Sequence, residues 1–156
     1  MSAAPFMNTI CRGLVGHVSY LATCSLSTVY SEYMLYEPIA RIGQAKGYTV
    51  RCEVPVGTKK PGRGDHRRID FLFTRDSHAI GLEVKWLEKN DRTNVTNDVE
   101  KLRLASCRDR FLVVFGRGAV LENLDLKADG KPLKAGGRLV RWQAGKTDYA
   151  AIWVKI

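Results

Sequence analysis

Apolar and polar residues recur with different periods along this chain, and those periods divide it into helices and strands. An apolar stretch from Gly13 to Leu26, broken by His17, Ser19, Tyr20 and Thr23, predicts a short helix around residues 9 to 22. Between Thr28 and Lys46 the residues Val29, Tyr36, Ile39 and Gly43 follow helical spacing, Gly47 is placed to end the helix, and Pro38 predicts a kink or a restart. From Tyr48 to Val56, Val50, Cys52, Val54 and Val56 alternate with Thr49, Arg51, Glu53 and Pro55, the period of a half-buried strand. Two further strands, Arg68 to Thr74 and Ala79 to Leu87, flank a turn at Arg75-Asp76-Ser77-His78. A helix over residues 94 to 107 places Val95, Val99, Leu102 and Cys107 on one side, with Asp98 and Glu100 near its first turns, where the helix dipole favours anions. The unbroken run Phe111 to Phe115 suits a strand covered on both faces, so strand, helix and strand predict a right-handed parallel crossover. Leu139 to Trp142 and Tyr149 to Ile156 read as two more strands, a C-terminal β extension. The fold class is α/β: a mixed β-sheet flanked by helices.

Composition bounds the picture. The chain has 156 residues, of which 45% are apolar, enough for one core and too ordered a composition for a disordered chain. We expect a single domain over residues 1 to 156, with a core at 27 to 115 between an N-terminal extension (1 to 26) and a C-terminal one (116 to 156). The apolar stretch near the start is too polar for a signal peptide or a membrane span. Cys11, Cys24, Cys52 and Cys107 lack the close pairing of a zinc site, so reduced thiols in a cytoplasmic protein are the expectation.

Charge adds a partner. The 25 Lys and Arg against 16 Asp and Glu leave a net +9. Two segments carry the whole of it. Residues 57 to 68 hold Lys59, Lys60, Arg63, Arg67 and Arg68 against Asp65, and residues 127 to 146 hold Lys127, Lys131, Lys134, Arg138, Arg141 and Lys146 against Asp129. Such segments are either solvated loops or arms of a phosphate-binding surface, with nucleic acid the first partner and an acidic membrane surface the second.

The turn between the second and third strands fixes a register. Either loop length open to it, two residues or four, pairs residues whose numbers sum to 153, so Asp70 faces Glu83. Arg68, Asp70 and Leu72 then share one face with Gly81, Glu83 and Lys85, while Ile69, Phe71, Phe73, Ile80, Leu82 and Val84 make an apolar face that belongs to the core. Two carboxylates with Cβ atoms roughly 4.5 to 5.5 Å apart repel when both are ionised, so a cation is expected between them. Lys85 and Arg68 would supply it in a surface salt-bridge cluster; hydrated Mg²⁺ would supply it in a phosphoryl-transfer site. Spacing alone leaves these readings even. Glu32 shares the packing stripe of Val29, Tyr36 and Ile39, and either seeks a partner there or reaches solvent from the helix end.

Glu32 on a first helix, Ile69-Asp70, and Glu83-Val84-Lys85 after a short hairpin, followed by a helix and a buried strand, resemble the PD-(D/E)xK nucleases, the restriction-endonuclease-like superfamily. The resemblance covers about Ser31 to Phe115, with Ile69 where the family's name has proline. It implies an α-β-β-β-α-β core and a Mg²⁺-dependent DNA endonuclease, with Mn²⁺ as a substitute ion. Asp70, Glu83 and the backbone carbonyl of Val84 would bind the ion. Lys85 would orient or deprotonate the attacking water and stabilise the charged transition state, and Glu32 would complete the site. Lys59, Lys60, Arg63, Arg67, Arg68 and Lys101 are the expected nucleic-acid contacts, and cutting a duplex on both strands implies a homodimer. A structure-selective nuclease, such as a junction resolvase or repair nickase, and a non-catalytic binding domain on the same fold are the competing readings.

Other signals weigh less. The glycine-rich Gly57 to Gly64 lacks the Lys-Ser/Thr pair of an NTPase loop. His66, an exposed loop histidine, is expected neither to act as a base nor to touch DNA. Core packing is the expectation for Trp142 and Trp153 over stacking on bases, a role Trp86 shares as a candidate.

Overall fold

The structure, a computed structural model, describes residues 3–26, 31–57, 67–87, 95–144 and 147–156. Helix α1 (Ala4–Thr23) is followed by a 3₁₀ turn (Glu32–Leu35) running into α2 (Tyr36–Ala45). Strands β1 (Thr49–Pro55), β2 (Arg68–Arg75) and β3 (His78–Leu87) come next. Helix α3 (Thr96–Leu104) leads to β4 (Asp109–Arg117), and a short α4 (Gly118–Glu122) follows. The strand pair β5 (Lys127–Ala128) and β6 (Lys131–Pro132) precedes β7 (Val140–Ala144) and β8 (Thr147–Lys155).

Six strands form one mixed sheet in the order β1-β2-β3-β4-β8-β7. Among the described residues only the β3–β4 pair is parallel, and α3 lies in the connection between its strands. The apolar run read at 111 to 115 is buried throughout, as a strand covered on both faces requires. On one face α1 and α2 cover Phe71, Phe73, Leu82, Phe111, Phe115, Tyr149 and Trp153. On the other, α3 and α4 cover Ile69, Leu112, Val114, Ala150 and Val154. Two cores on either side of one sheet make a three-layer α/β sandwich.

Several boundaries differ from the sequence reading, each for a local reason. Helix α1 starts at Ala4 instead of about residue 9, because Pro5 fits its first turn and Phe6 and Met7 extend the buried stripe of Ile10, Leu14 and Val18. The single helix read from Thr28 becomes a 3₁₀ turn and a fresh α-helix; Pro38, in the first turn of α2, needs no amide partner there. Residues 28–30 of that reading lie outside the described residues. The C-terminal strands are not an appendage: β8 lies inside the sheet, between β4 and β7, and α1 packs on it.

The face assignment of Ile69 is also corrected. Phe71 and Phe73 face α1 and α2, yet Ile69 belongs to the α3 core, as Val54 does on the neighbouring strand while Val50 does not. Strict alternation would keep residues two apart on one face. The reversal lies at Glu53 and Asp70, and Glu53 has a left-handed backbone, φ 51°. All four cysteines are free thiols, and among the described residues no helix is long and apolar enough to cross a membrane.

Candidate functional site

The β2–β3 hairpin closes through Asp76 and Ser77, with Arg75 paired to His78, and its ladder keeps the expected register as far as Phe71 opposite Leu82. Beyond that pair, side chains complete the ladder. The Val84 amide donates to Asp70 Oδ2 at 2.7 Å, and the Trp86 amide donates to Glu32 Oε1 at 3.0 Å. Amides two residues apart on a strand point to the same edge, so Asp70 and Glu32 satisfy successive donors where β2 leaves β3. Asp70 and Glu83 are therefore not a plain cross-strand pair; the Asp70 carboxylate is anchored on the main chain beside Glu83.

Alternation along β3 is strict and directs Glu83 and Lys85 toward α3. Glu83 is 2% exposed, and its Oε2 accepts from Lys101 Nζ at 2.6 Å. Its Oε1 has no hydrogen-bond partner among the described residues. Lys101 Nζ also lies 3.1 Å from Asp98 Oδ1, one turn earlier on α3. Lys85 Nζ stands 3.9 Å from Glu32 Oε1 and 4.0 Å from Asp98 Oδ2, so Asp98 faces both lysines. Gly81 makes room for the segment that follows α3: a Cβ there would meet Cys107 Sγ at 2.9 Å.

On the other side of Asp70, Tyr36 Oη lies 2.7 Å from both Asp70 Oδ1 and Glu53 Oε1. A phenol has one proton to give, so two carboxylate oxygens share one donor unless one of them carries a proton. The ionisations reflect this crowding. Burial first, then the Asp70 charge, pushes Glu83 up to about 8 against the pull of Lys101. Burial also raises Asp70, opposed by its bonds from Tyr36 and Val84. Tyr36 is driven well above its usual range by burial and by its two carboxylate neighbours. Burial pulls Lys101 down, but the bonds and charges of Glu83 and Asp98 outweigh it and hold the ammonium above its usual value.

The structure thus brings Glu32, Asp70, Glu83 and Lys85 together from three elements. Lys101, read as either a phosphate contact or a residue of a solvated helix face, reaches inward as the cation on Glu83 and Asp98, a place the sequence reading left open between Lys85 with Arg68 and a hydrated Mg²⁺. Arg67 is exposed and lies 3.4 Å from Glu100, and Arg68 is exposed at the start of β2. Lys59, Lys60, Arg63 and His66 lie outside the described residues. Trp153 is core, its Nε1 donating to Asn8, and Trp86 and Trp142 pack on the same side of the sheet. Three residues of the site escaped the sequence reading as such: Tyr36, Glu53 and Asp98. Asp98 carried a usable signal, its i,i+3 spacing to Lys101.

Among the described residues no group of three or more His, Cys, Asp and Glu side chains stands ready to hold a metal ion. The donor chemistry nevertheless fits a hard divalent cation. The side-chain acceptors gathered here are oxygens, one buried carboxylate oxygen of Glu83 has no hydrogen-bond partner among the described residues, and the Lys101 ammonium is the cation on Glu83. Comparisons of the chain with protein-family models, with curated proteins and with solved structures find no match.

Proposed function

We propose that the chain is a Mg²⁺-dependent nuclease of the PD-(D/E)xK type, with a restriction-endonuclease-like core, that hydrolyses phosphodiester bonds in DNA. One observation carries the reading: Glu32, Asp70, Glu83 and Lys85 converge where β2 leaves β3, two of them tied to successive β3 amides. The motif is weak as a string of letters, and this convergence is what supports it.

Asp70, Glu83 and the Val84 carbonyl would hold Mg²⁺, with Mn²⁺ as a substitute. The bound ion would supply charge to the phosphate oxygens and make a water molecule more acidic. Asp70 offers its carboxylate at a fixed place, because the Val84 amide and Tyr36 hold it still. Lys85 orients the attacking water and places positive charge against the charge that develops on phosphate. Glu32 holds Lys85 in position from the 3₁₀ turn. The basic segment that precedes β2 in the sequence leads directly into Asp70 and would offer the sequence-independent attraction to a polyanion.

Incubating the full chain with supercoiled plasmid tests this. Mg²⁺ and Mn²⁺ should support nicking, while Ca²⁺ should support binding with little cleavage. Lys85→Ala should keep Ca²⁺-supported DNA binding and lose turnover by about 10²-fold or more. An intact plasmid in both Mg²⁺ and Mn²⁺, or wild-type cleavage by Lys85→Ala, sinks the proposal. The Lys101–Glu83 ion pair favours a second reading, a non-catalytic nucleic-acid-binding domain, because it neutralises the carboxylate as a structural pair does. DNA binding without cleavage in any metal assigns that one. Branched, single-stranded and linear substrates side by side separate a structure-selective nuclease, and sedimentation with duplex DNA reads the expected homodimer.

A further inference from the structure

Lys101 is a cation at the centre of the site for which the proposed chemistry has no use. Its helix position explains one contact: Asp98 is three residues earlier, a surface pairing any α-helix can make. It does not explain the other. A lysine serving a distant phosphate extends its ammonium toward water. Lys101 does the reverse and reaches inward to Glu83, a side chain only 3% exposed, at 2.6 Å. The Asp70 carboxylate also feels its charge. Three carboxylates, Asp70, Glu83 and Asp98, therefore already share one cation, and it is built into the chain.

A divalent ion on Asp70 and Glu83 would draw on the same negative charge, and two cations cannot crowd one oxygen without strong repulsion. We propose that Lys101 is an internal competitor for the metal: its ammonium holds the Glu83 oxygen and must leave it for the ion to load. This inference rests on the metal-site reading above. In the metal-free protein the ammonium relieves the repulsion among buried carboxylates, and the same contact weakens the apparent affinity for the ion. Asp98 keeps the exchange local. It lies within reach of both Lys101 and Lys85, so an ammonium released by Glu83 retains a counter-charge on its own helix.

Titration calorimetry of Mg²⁺ and Ca²⁺ into the metal-free full chain tests the proposal by binding, apart from cleavage. Lys101→Met should tighten both dissociation constants by about tenfold or more, since a charge-assisted bond no longer has to be broken. Arg103→Met is the control. It removes the same charge from the same helix, but Arg103 pairs with Asp129 and not with Glu83, so it should change affinity by about twofold or less. Equal tightening in both variants would reveal a general charge effect and overturn the proposal, as would unchanged affinity in Lys101→Met. If the Met variant does not fold, Lys101→Gln replaces it with the same expectation. The wild type supplies a second readout: the ¹⁵N signal of the Lys101 ammonium, assigned by its loss in Lys101→Gln, should shift or broaden as Mg²⁺ saturates the site. A signal that stays put while Mg²⁺ binds overturns the competitor and leaves the metal site standing. A wild type and a Lys101→Met variant that both bind neither ion overturn the metal site itself.

Discussion

At the scale of single residues, Glu83 ties the chemistry of the site to stability. Its carboxyl is raised from 4.5 to about 8, chiefly by burial and next by Asp70. Across that interval the native chain keeps a proton that the unfolded chain has released, so stability falls as pH rises. The contribution is fully favourable below about 4.5 and is lost as pH climbs through about 8. Glu83→Gln removes this titration, and Lys101 keeps Asp98 as a counter-charge. In EDTA the variant should melt near the wild type at pH 4 and several degrees above it at pH 8, each kcal/mol being worth about 2–4 °C in a domain of this size. Asp70, raised in the same direction, leaves the variant a shallower slope of its own. Melting curves that stay parallel from pH 4 to 8 would place the pH dependence elsewhere. The sequence exposes Asp70 and Glu83 because a two-residue turn and a period of two fix who stands near whom. It hides Glu53, because a left-handed glutamate inside a strand leaves no trace in the period. Lys101 is half hidden: helical spacing places it beside Asp98, while nothing local shows that Glu83 lies within its reach.

At the scale of elements, helix α2 positions Tyr36 against Asp70, and a glycine sets how closely it sits. A Cβ on Gly43 would lie 2.6 Å from Phe73 Cε1 and 2.8 Å from Val50 Cγ2. The Phe73 ring is fully buried, stacked on Phe71 and edge-on to Phe6, so it has nowhere to go. Gly43→Ala should therefore destabilise the protein by about 1–3 kcal/mol despite the better helix propensity of alanine, and thermal melts should show it as a loss of several degrees. A variant as stable as the wild type would mean that α2 stands farther from the sheet. Most elements are legible because each is a local period: the hairpin and the buried run at 111 to 115 form where the pattern puts them, and the crossover helix forms over the shorter span Thr96–Leu104, leaving Cys107 beyond its end. The end of α2 is legible for a chemical reason. Gly47 adopts φ 77° and the Tyr48 amide returns to the Gly43 carbonyl, closing the helix. What no period contains is strand order. Tyr149 to Ile156 reads as a strand from its own residues, but its place beside β4 is decided by two cores that the strand helps to fill, one on each face.

At the scale of the whole molecule, the two basic segments that look alike in sequence differ in what surrounds them. Within the second, Arg141 is bonded to Asp148 and Glu122, Lys127 pairs with Asp125, and Asp129 takes Arg103. Two of its six cations, Lys127 and Arg141, are thus answered by the protein's own acids, while its acid Asp129 is taken by Arg103 from outside the segment. In the first, Arg67 has a 3.4 Å approach to Glu100, and Arg68 is exposed one residue before Ile69-Asp70. We propose that a polyanion at the Asp70 site meets Arg67 and Arg68, which are exposed where β2 begins. Each phosphate contact on duplex DNA contributes about 0.9 to the slope of log affinity against log salt. Neutralising Lys59, Lys60 and Arg63 together should therefore flatten the slope by roughly 2 to 3 and weaken binding to all sequences alike. Neutralising Lys127 and Arg141 should leave the slope nearly unchanged, because those side chains already face carboxylates. Filter binding across a salt series, in Ca²⁺ to prevent cleavage, measures both variants. If the triple variant keeps the wild-type slope while the double variant loses it, the nucleic acid lies against the second segment, and Asp70 and Glu83 do not face the phosphate that the proposed chemistry requires.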